Sequence, residues 1–314
     1  MSATADRRIR DLRPPKLKVD PYKPHGYTVE DERRPDGTLE QTLTVFLTGA
    51  ECAFTCAFCD LWRFTLDGPT PPGALAHQLR TVLESADMSA IRRLKLYNAS
   101  NFFDPRAVPE EDVAAIGTLS QGFPAITVES HATTIGRRTL AFAHEIAGRL
   151  EVAIGLETIH SVAITNLNKR LDLERFDRAA GFLRDHDIEL RAFVLLGVPN
   201  VAAAESVEWT VRSVEHAVAC GASVVSIIPV RGGNGEMERL QASGDFVPPT
   251  FADLENAIDQ CADITGAVVT ADLWDIDRLS ACEHCQIERV ERLRRWNLFG
   301  VSTPRFQCAM CGAA

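Results

Sequence analysis

The stretch "TLTVFLTGAECAFTCAFCDLW" (residues 42–62) runs from an apolar segment straight into three cysteines, Cys52, Cys56 and Cys59. Residues 42–48 have the near-continuous apolar character of a strand buried in a parallel sheet. Gly49 ends that run, which puts the cysteines on the loop that follows the strand. Their spacing is C-x3-C-x2-C. Three thiolates in so tight a loop suit three irons of a 4Fe–4S cube, leaving the fourth iron open to a small chelating ligand. A structural zinc site is closed and tetrahedral, so it would need a fourth ligand from elsewhere. A bacterial ferredoxin run would read C-x2-C-x2-C-x3-C instead.

The rest of the chain favours a chemical role for these thiols. With 314 residues, the chain builds a core without disulfide staples, so its nine cysteines need another explanation. There is no apolar run long enough to span a membrane, and the first residues lack the apolar segment of a secretory leader. The expectation is a cytoplasmic protein, without membrane association, whose thiols stay reduced. Residues 1–24 carry seven Lys/Arg against three Asp, and taking that +4 from the net −10 leaves the remainder at −14. An acidic body argues against broad nucleic-acid binding. The basic, proline-spaced arm is expected to be a flexible solvated terminus, with contact to a phosphate backbone as the alternative.

Six further apolar runs follow the first: "RRLKLYN" (92–98), "AITVES" (125–130), "LEVAIGLE" (150–157), "ELRAFVLLG" (189–197), "ASVVSIIPV" (222–230) and "GAVVTADLW" (266–274). Amphipathic helical segments separate them, for example Val207, Val211, Val214 and Val218 at helical spacing before Gly221. This alternation predicts an α/β fold, a partial (β/α)6-type TIM-like barrel of parallel strands, with a doubly wound open sheet as the alternative. The expected organisation is an N-terminal arm and hairpin over 1–40, turning at Asp36-Gly37, a barrel over 41–275, and a cysteine-rich metal-binding tail over 276–314. A barrel places functional residues just past the C-terminal strand ends.

With Phe58 directly before Cys59, the loop reads C-x3-C-x-aromatic-C and resembles the signature of the radical S-adenosylmethionine (radical SAM) superfamily. The resemblance implies a 4Fe–4S cluster on Cys52, Cys56 and Cys59, whose open iron holds the amino and carboxylate groups of S-adenosylmethionine. It implies reductive cleavage to a 5′-deoxyadenosyl radical, which abstracts hydrogen from a substrate. It also implies an electron donor such as a flavodoxin or ferredoxin.

Later strand ends extend the likeness. Asn98, Ser100 and Asn101 in "YNASN" stand where the superfamily often has a glycine-rich stretch meeting the methionine amine. Glu129 and His131 in "VESH" share one face of their strand end. Glu157 in "GLET" matches the ribose-binding strand, and Gly197-Val198 in "FVLLGVP" match the strand that backs the adenine. "LNKR", with Asn168 and Lys169, recurs in the elongator-type branch, and the order of these motifs is loosely similar to the archaeosine-forming enzymes. The resemblance does not name the substrate. A transfer-RNA base competes with a peptide or small metabolite, and a non-catalytic zinc-binding adaptor is the rival from another class.

Arg231, beside a glycine-rich loop, and Asp272 and Trp274, after the last apolar run, are the substrate-site candidates. Cys282, Cys285, Cys308 and Cys311 form two C-x2-C pairs 22 residues apart, a set for one zinc or for an auxiliary iron–sulfur cluster. Cys220 and Cys261 read as core cysteines.

Overall fold

The structure, a computed structural model, describes residues 3–279 and 282–312. Eight strands form one sheet in chain order: β1 (Gly26–Arg33), β2 (Leu39–Phe46), β3 (Arg93–Tyr97), β4 (Ala125–Glu129), β5 (Arg149–Glu157), β6 (Glu189–Leu196), β7 (Ala222–Pro229) and β8 (Val268–Ala271). β1 and β2 form the antiparallel hairpin, and Gly37 at φ +82° supplies the left-handed turn residue there. Every other pairing is parallel, so seven parallel strands, one for each apolar run, curl into a partial barrel. Each apolar run became a strand.

Ten α-helices accompany the strands among the described residues: α1 (Ala3–Asp11), α2 (Ala74–Ser85), α3 (Glu110–Leu119), α4 (Arg137–Glu145), α5 (Ser161–Asn166), α6 (Leu173–Asp185), α7 (Ser206–Ala219), α8 (Glu236–Ala242), α9 (Phe251–Gln260) and α10 (Gln286–Phe299). Among the described residues, no helix is long and apolar enough to cross a membrane. One strand face is apolar: Leu43, Val45, Leu94, Leu96, Val152, Ile154, Val194 and Leu196 bury into one core with Leu79, Phe142, Phe176, Leu183 and Val214 of the helices.

The strands are buried on the other face too, but that face is charged. Arg93, Lys95, Glu151 and Arg191 alternate with the core residues, as strand geometry requires, and all four are buried. Glu151 accepts from Arg191 at 2.9 Å and from Thr127 at 2.8 Å, while Arg93 donates to Glu40 at 2.9 Å. Glu32 takes Arg191 at 3.0 Å and pairs with Lys95. Burial alone would push Glu32 up, but Arg191 and Lys95 hold it at about 2. Burial, with the Arg191 charge beside it, brings Lys95 down to about 8. The barrel thus has a floor of interlocked charges.

The barrel does not close by strand pairing, because β1 and β8 are the two sheet edges. Helix α10 packs against both of these edge strands. Trp296 Nε1 donates to the Val269 carbonyl at 2.8 Å. The Asn297 amide accepts from Ala271 N and donates to Ala271 O, each at 2.8 Å, as a neighbouring strand would.

Cys261 is buried, as expected of a core cysteine. Cys220 lies at the edge of the core, packed against it but only partly buried. It caps the C-terminus of α7 and is half-buried beside Asp177 of α6, to whose carboxylate its thiol donates at 3.3 Å.

Candidate functional site

The loop after β2 is held from several sides. Ala57 N donates to the Leu167 carbonyl at 2.9 Å, and Trp62 Nε1 donates to the Cys59 carbonyl at 3.1 Å. Asn234, buried in the glycine-rich loop before α8, donates to the Ala57 carbonyl at 2.7 Å and accepts from Met237 N at 2.9 Å. Phe58 packs with Ala163, Leu167, Leu195, Val198 and Met237 in a small apolar cluster of its own. Val198 therefore supports the loop from beneath. Desolvation pushes all three thiols up, Cys59 to about 12 and Cys56 well above the ordinary thiol range. Thiolates in such surroundings need a cationic centre to hold them.

Asn101 connects this loop to the third strand end. Its Oδ1 accepts from His131 N at 2.8 Å, which fixes the amide orientation and aims Nδ2 at Cys52 Sγ, 3.2 Å away. A donor aimed at sulfur favours the thiolate. His131 Nε2 donates to the Lys169 carbonyl at 3.0 Å, so Nδ1 is the acceptor and takes Thr133 N at 3.2 Å. Burial, with Lys169 nearby, brings His131 down to about 3, so its ring is neutral. The ring stacks on Phe54 at 4.0 Å between centroids. His131 holds the loop in position rather than titrating.

Glu129 accepts from Asn98 N at 3.2 Å and Ala99 N at 3.1 Å, and so shapes the turn after β3. Burial pushes Glu129 up to about 7, those two amide bonds opposing it. In the same turn Asn98 Nδ2 and Ser100 Oγ are buried with no hydrogen-bond partner. Such atoms cost free energy unless a ligand satisfies them. They suit the amino and carboxylate groups of an amino-acid ligand.

At the β5 end Glu157 pairs with Lys169, whose ammonium also donates to the Gly155 carbonyl. A Cβ at Gly155 would meet the ends of both side chains, so a larger residue there would displace the pair. Gly197, at φ +80°, packs so closely on Pro249 that a Cβ would lie 2.6 Å from its Cδ. Of the seven non-glycine residues in the left-handed region among the described residues, Ala99, Glu157, Asn168, Arg170, Asn200 and Asp275 lie at strand C-terminal ends or in the loops after them, and Asp187 lies before β6. Strain concentrated in this way marks a ligand site.

No family model matches the chain. An uncharacterized protein of Methanocaldococcus jannaschii is 22% identical over 260 residues, covering 77% of this chain and 70% of that one. Among solved structures, Methanocaldococcus infernus Elp3 lacking its first 46 residues matches with TM-score 0.53 and 13% identity, over 74% of this chain and 60% of that chain. Streptococcus suis SuiB, solved with S-adenosylmethionine bound, matches with TM-score 0.51 and 14% identity, over 76% and 52%. The chain shares the fold of these two structures. It spans little more than half the length of those two structures.

Three features surround this core. The first corrects the expectation of a flexible arm. Helix α1 buries Ile9, and Asp6 accepts from Thr55, from Asn168 Nδ2 at 2.8 Å and from Arg170. Thr55 and then Asn168 hold the Asp6 carboxyl below its usual range. Arg13 donates to Glu51 at 2.7 Å and lies 4.6 Å over the Trp62 ring, while Lys16 donates to Glu51 at 3.0 Å. A Cβ at Gly235 would overlap the Leu12 carbonyl, so the arm also lies against the glycine-rich loop. Three of the basic residues that suggested a loose tail, Arg8, Arg13 and Lys16, have carboxylate partners on the body.

Asp6→Ala removes a charged acceptor shared by three elements. Bonds of that kind contribute roughly 2 kcal/mol, so amide exchange across residues 52–59 should speed by about thirtyfold. Hydrogen exchange read by mass spectrometry checks this. Unchanged exchange there would mean the arm does not brace the loop.

The second feature is the rim. Arg231 donates to Asp272 at 2.8 Å and to the Trp274 carbonyl, so the three substrate candidates contact one another. Arg231 is not left as an unpaired cation. Trp274 is 61% exposed and packs on Phe46 at 6.0 Å, while Phe46 meets Tyr97 at 6.5 Å and Tyr97 meets Phe193 at 6.4 Å. This aromatic row across the barrel mouth was missed in the sequence. Two of its members, Phe46 and Tyr97, are the last residues of β2 and β3.

The third feature is the tail. Cys282 and Cys308 lie 3.9 Å apart, Cys285 and Cys311 3.8 Å apart, and all four Sγ atoms lie within 4.8 Å of one another. The three loop thiols do not all converge within that distance.

Proposed function

We propose that this protein is a cytoplasmic radical SAM enzyme that binds a 4Fe–4S cluster through Cys52, Cys56 and Cys59. The observation that carries it is the Asn101 amide, locked by His131 N and donating at 3.2 Å to one of three desolvated thiols. The orphaned Asn98 and Ser100 groups beside it would hold the methionyl end of S-adenosylmethionine. Glu129 would offset its ammonium, Glu157 would take its ribose, and Gly197-Val198 would back its adenine. When bound, the cluster and S-adenosylmethionine together supply one-electron cleavage of a sulfonium bond. The chain's own part is to position that cofactor and exclude water above a closed ionic floor. The electron would come from a flavodoxin or ferredoxin. The acidic body favours a small molecule or peptide as substrate over a transfer-RNA base.

The tail geometry favours zinc. Metal–sulfur bonds of about 2.3 Å at tetrahedral angles put sulfurs about 3.8 Å apart, which the two pairs match. Anaerobically reconstituted protein should then hold about four irons and about one zinc, and should form 5′-deoxyadenosine with dithionite and S-adenosylmethionine. About eight irons would instead assign the tail to an auxiliary cluster. Zinc alone, with no 5′-deoxyadenosine, would leave the adaptor reading.

Glu129 gives this reading a pH signature. A carboxyl with a value near 7 is mostly protonated at pH 6 and mostly ionised at pH 8. Only the ionised form offsets a cation, so S-adenosylmethionine should bind about tenfold tighter at pH 8 than at pH 6. Calorimetry on wild type and Glu129→Gln checks this. The variant should bind weakly with a flat profile, and a flat wild-type profile would take Glu129 out of the site.

A further inference from the structure

We propose that Asp177, His216 and Cys220 form a surface site for a zinc-class divalent cation, separate from both cysteine groups, that clamps α6 to α7. His216 and Cys220 are four residues apart on α7 and share one face, and Asp177 faces them from α6. His216 Nε2 lies 2.8 Å from Asp177 Oδ1, Cys220 Sγ lies 3.3 Å from the same oxygen, and Sγ lies 3.6 Å from Nε2. Bond lengths of about 2.0–2.3 Å at tetrahedral angles require ligand separations of about 3.3–3.6 Å. The triangle is therefore closed to within a small outward movement of one carboxylate. Thiolate, imidazole and carboxylate together suit zinc better than calcium or magnesium.

The alternative, a nucleophilic cysteine with a histidine base, does not fit. Such a device uses one ring nitrogen to reach the thiol and the other to reach the carboxylate. Here thiol and carboxylate meet at the same nitrogen, so no proton relay runs through the ring. All three donors converge on one point, as ligands do. The Asp177 side chain is 47% exposed and that of His216 is 27% exposed, which leaves a face open for entry and for a water as fourth ligand. Cys220 lies two residues before β7, at the barrel end opposite the mouth. In barrels that end serves stability rather than chemistry, so the cation would act as a clamp.

The test uses full-length protein with its iron–sulfur cluster reconstituted, so that the loop thiols are occupied, and Zn²⁺ as the probe. After zinc loading and desalting, wild type should retain about one zinc more than His216→Ala or Asp177→Ala, whatever the tail holds. Added zinc should slow alkylation of Cys220 in wild type at least tenfold, read by peptide mass spectrometry. Equal zinc in wild type and both variants, or alkylation of Cys220 indifferent to zinc, would overturn the proposal. The alkylation measurement needs no variant, and neither readout depends on enzymatic activity.

Discussion

Cys56→Ala protein should purify folded, keep the zinc proposed for its tail and hold almost no iron. Cys56 is the middle of three thiols on a loop anchored by Asn234, Trp62 and the Leu167 carbonyl, none of which uses the Cys56 side chain. Its loss therefore removes one sulfur while leaving the loop its backbone bonds. Two thiols and a loop hydrogen bond do not hold a cube that needs three protein ligands, so iron should fall from about four per chain to below about one. Formation of 5′-deoxyadenosine should fall to background with it. Metal analysis and product detection on one anaerobic preparation read both losses together. A variant retaining about four irons would place the cluster elsewhere, with the tail thiols as the first alternative. A variant that loses zinc as well as iron would show that the loop and tail fold as one unit.

The parts of the site carried by local sequence were legible. A strand of continuous apolar residues, a glycine break and three spaced cysteines need no tertiary information. The strand ends were legible for the same reason, since each apolar run ends where the chain changes character. What long-range contact decides was not. Asp6 reads as one acidic residue in a basic tail, yet it meets Thr55 and Asn168, 49 and 162 residues away. Asn234 stands between Gly233 and Gly235 with no local sign of a partner, but its amide ties that loop to the cysteines. Asn297 sits in a charged, weakly amphipathic helix with no sign that it stands in for a ninth strand. The inward charges were visible as the alternation Arg93, Lys95, Tyr97, and again in Glu189 and Arg191, but the Leu and Phe residues between them dominated the apolar reading.

Those inward charges carry the largest expected effect on stability. Glu151 is fully buried and takes Arg191 at 2.9 Å, with Arg34 and Arg93 at 3.4 and 3.5 Å. Arg93 is itself fully buried and Arg191 is nearly so. Glu151→Ala would leave several guanidinium groups desolvated against each other, with only Glu32, Glu40 and Glu189 to share among them. Removing one partner of a buried ion pair costs about 3–5 kcal/mol, far more than the pair contributes over an apolar substitute. The urea midpoint should drop accordingly, with the slope of the transition preserved. The pH dependence has a defined sign. The surrounding arginines outweigh burial and hold the Glu151 carboxyl far below its usual range. A depressed carboxylate value stabilises the fold above the unfolded value, near 4.5, and that contribution fades as pH falls below it. Wild type should therefore lose stability on acidification below about pH 4.5 more steeply than Glu151→Ala, whose curve lacks that group. A loss under about 1 kcal/mol, with no change in acid response, would mean that water reaches the barrel floor and screens its charges.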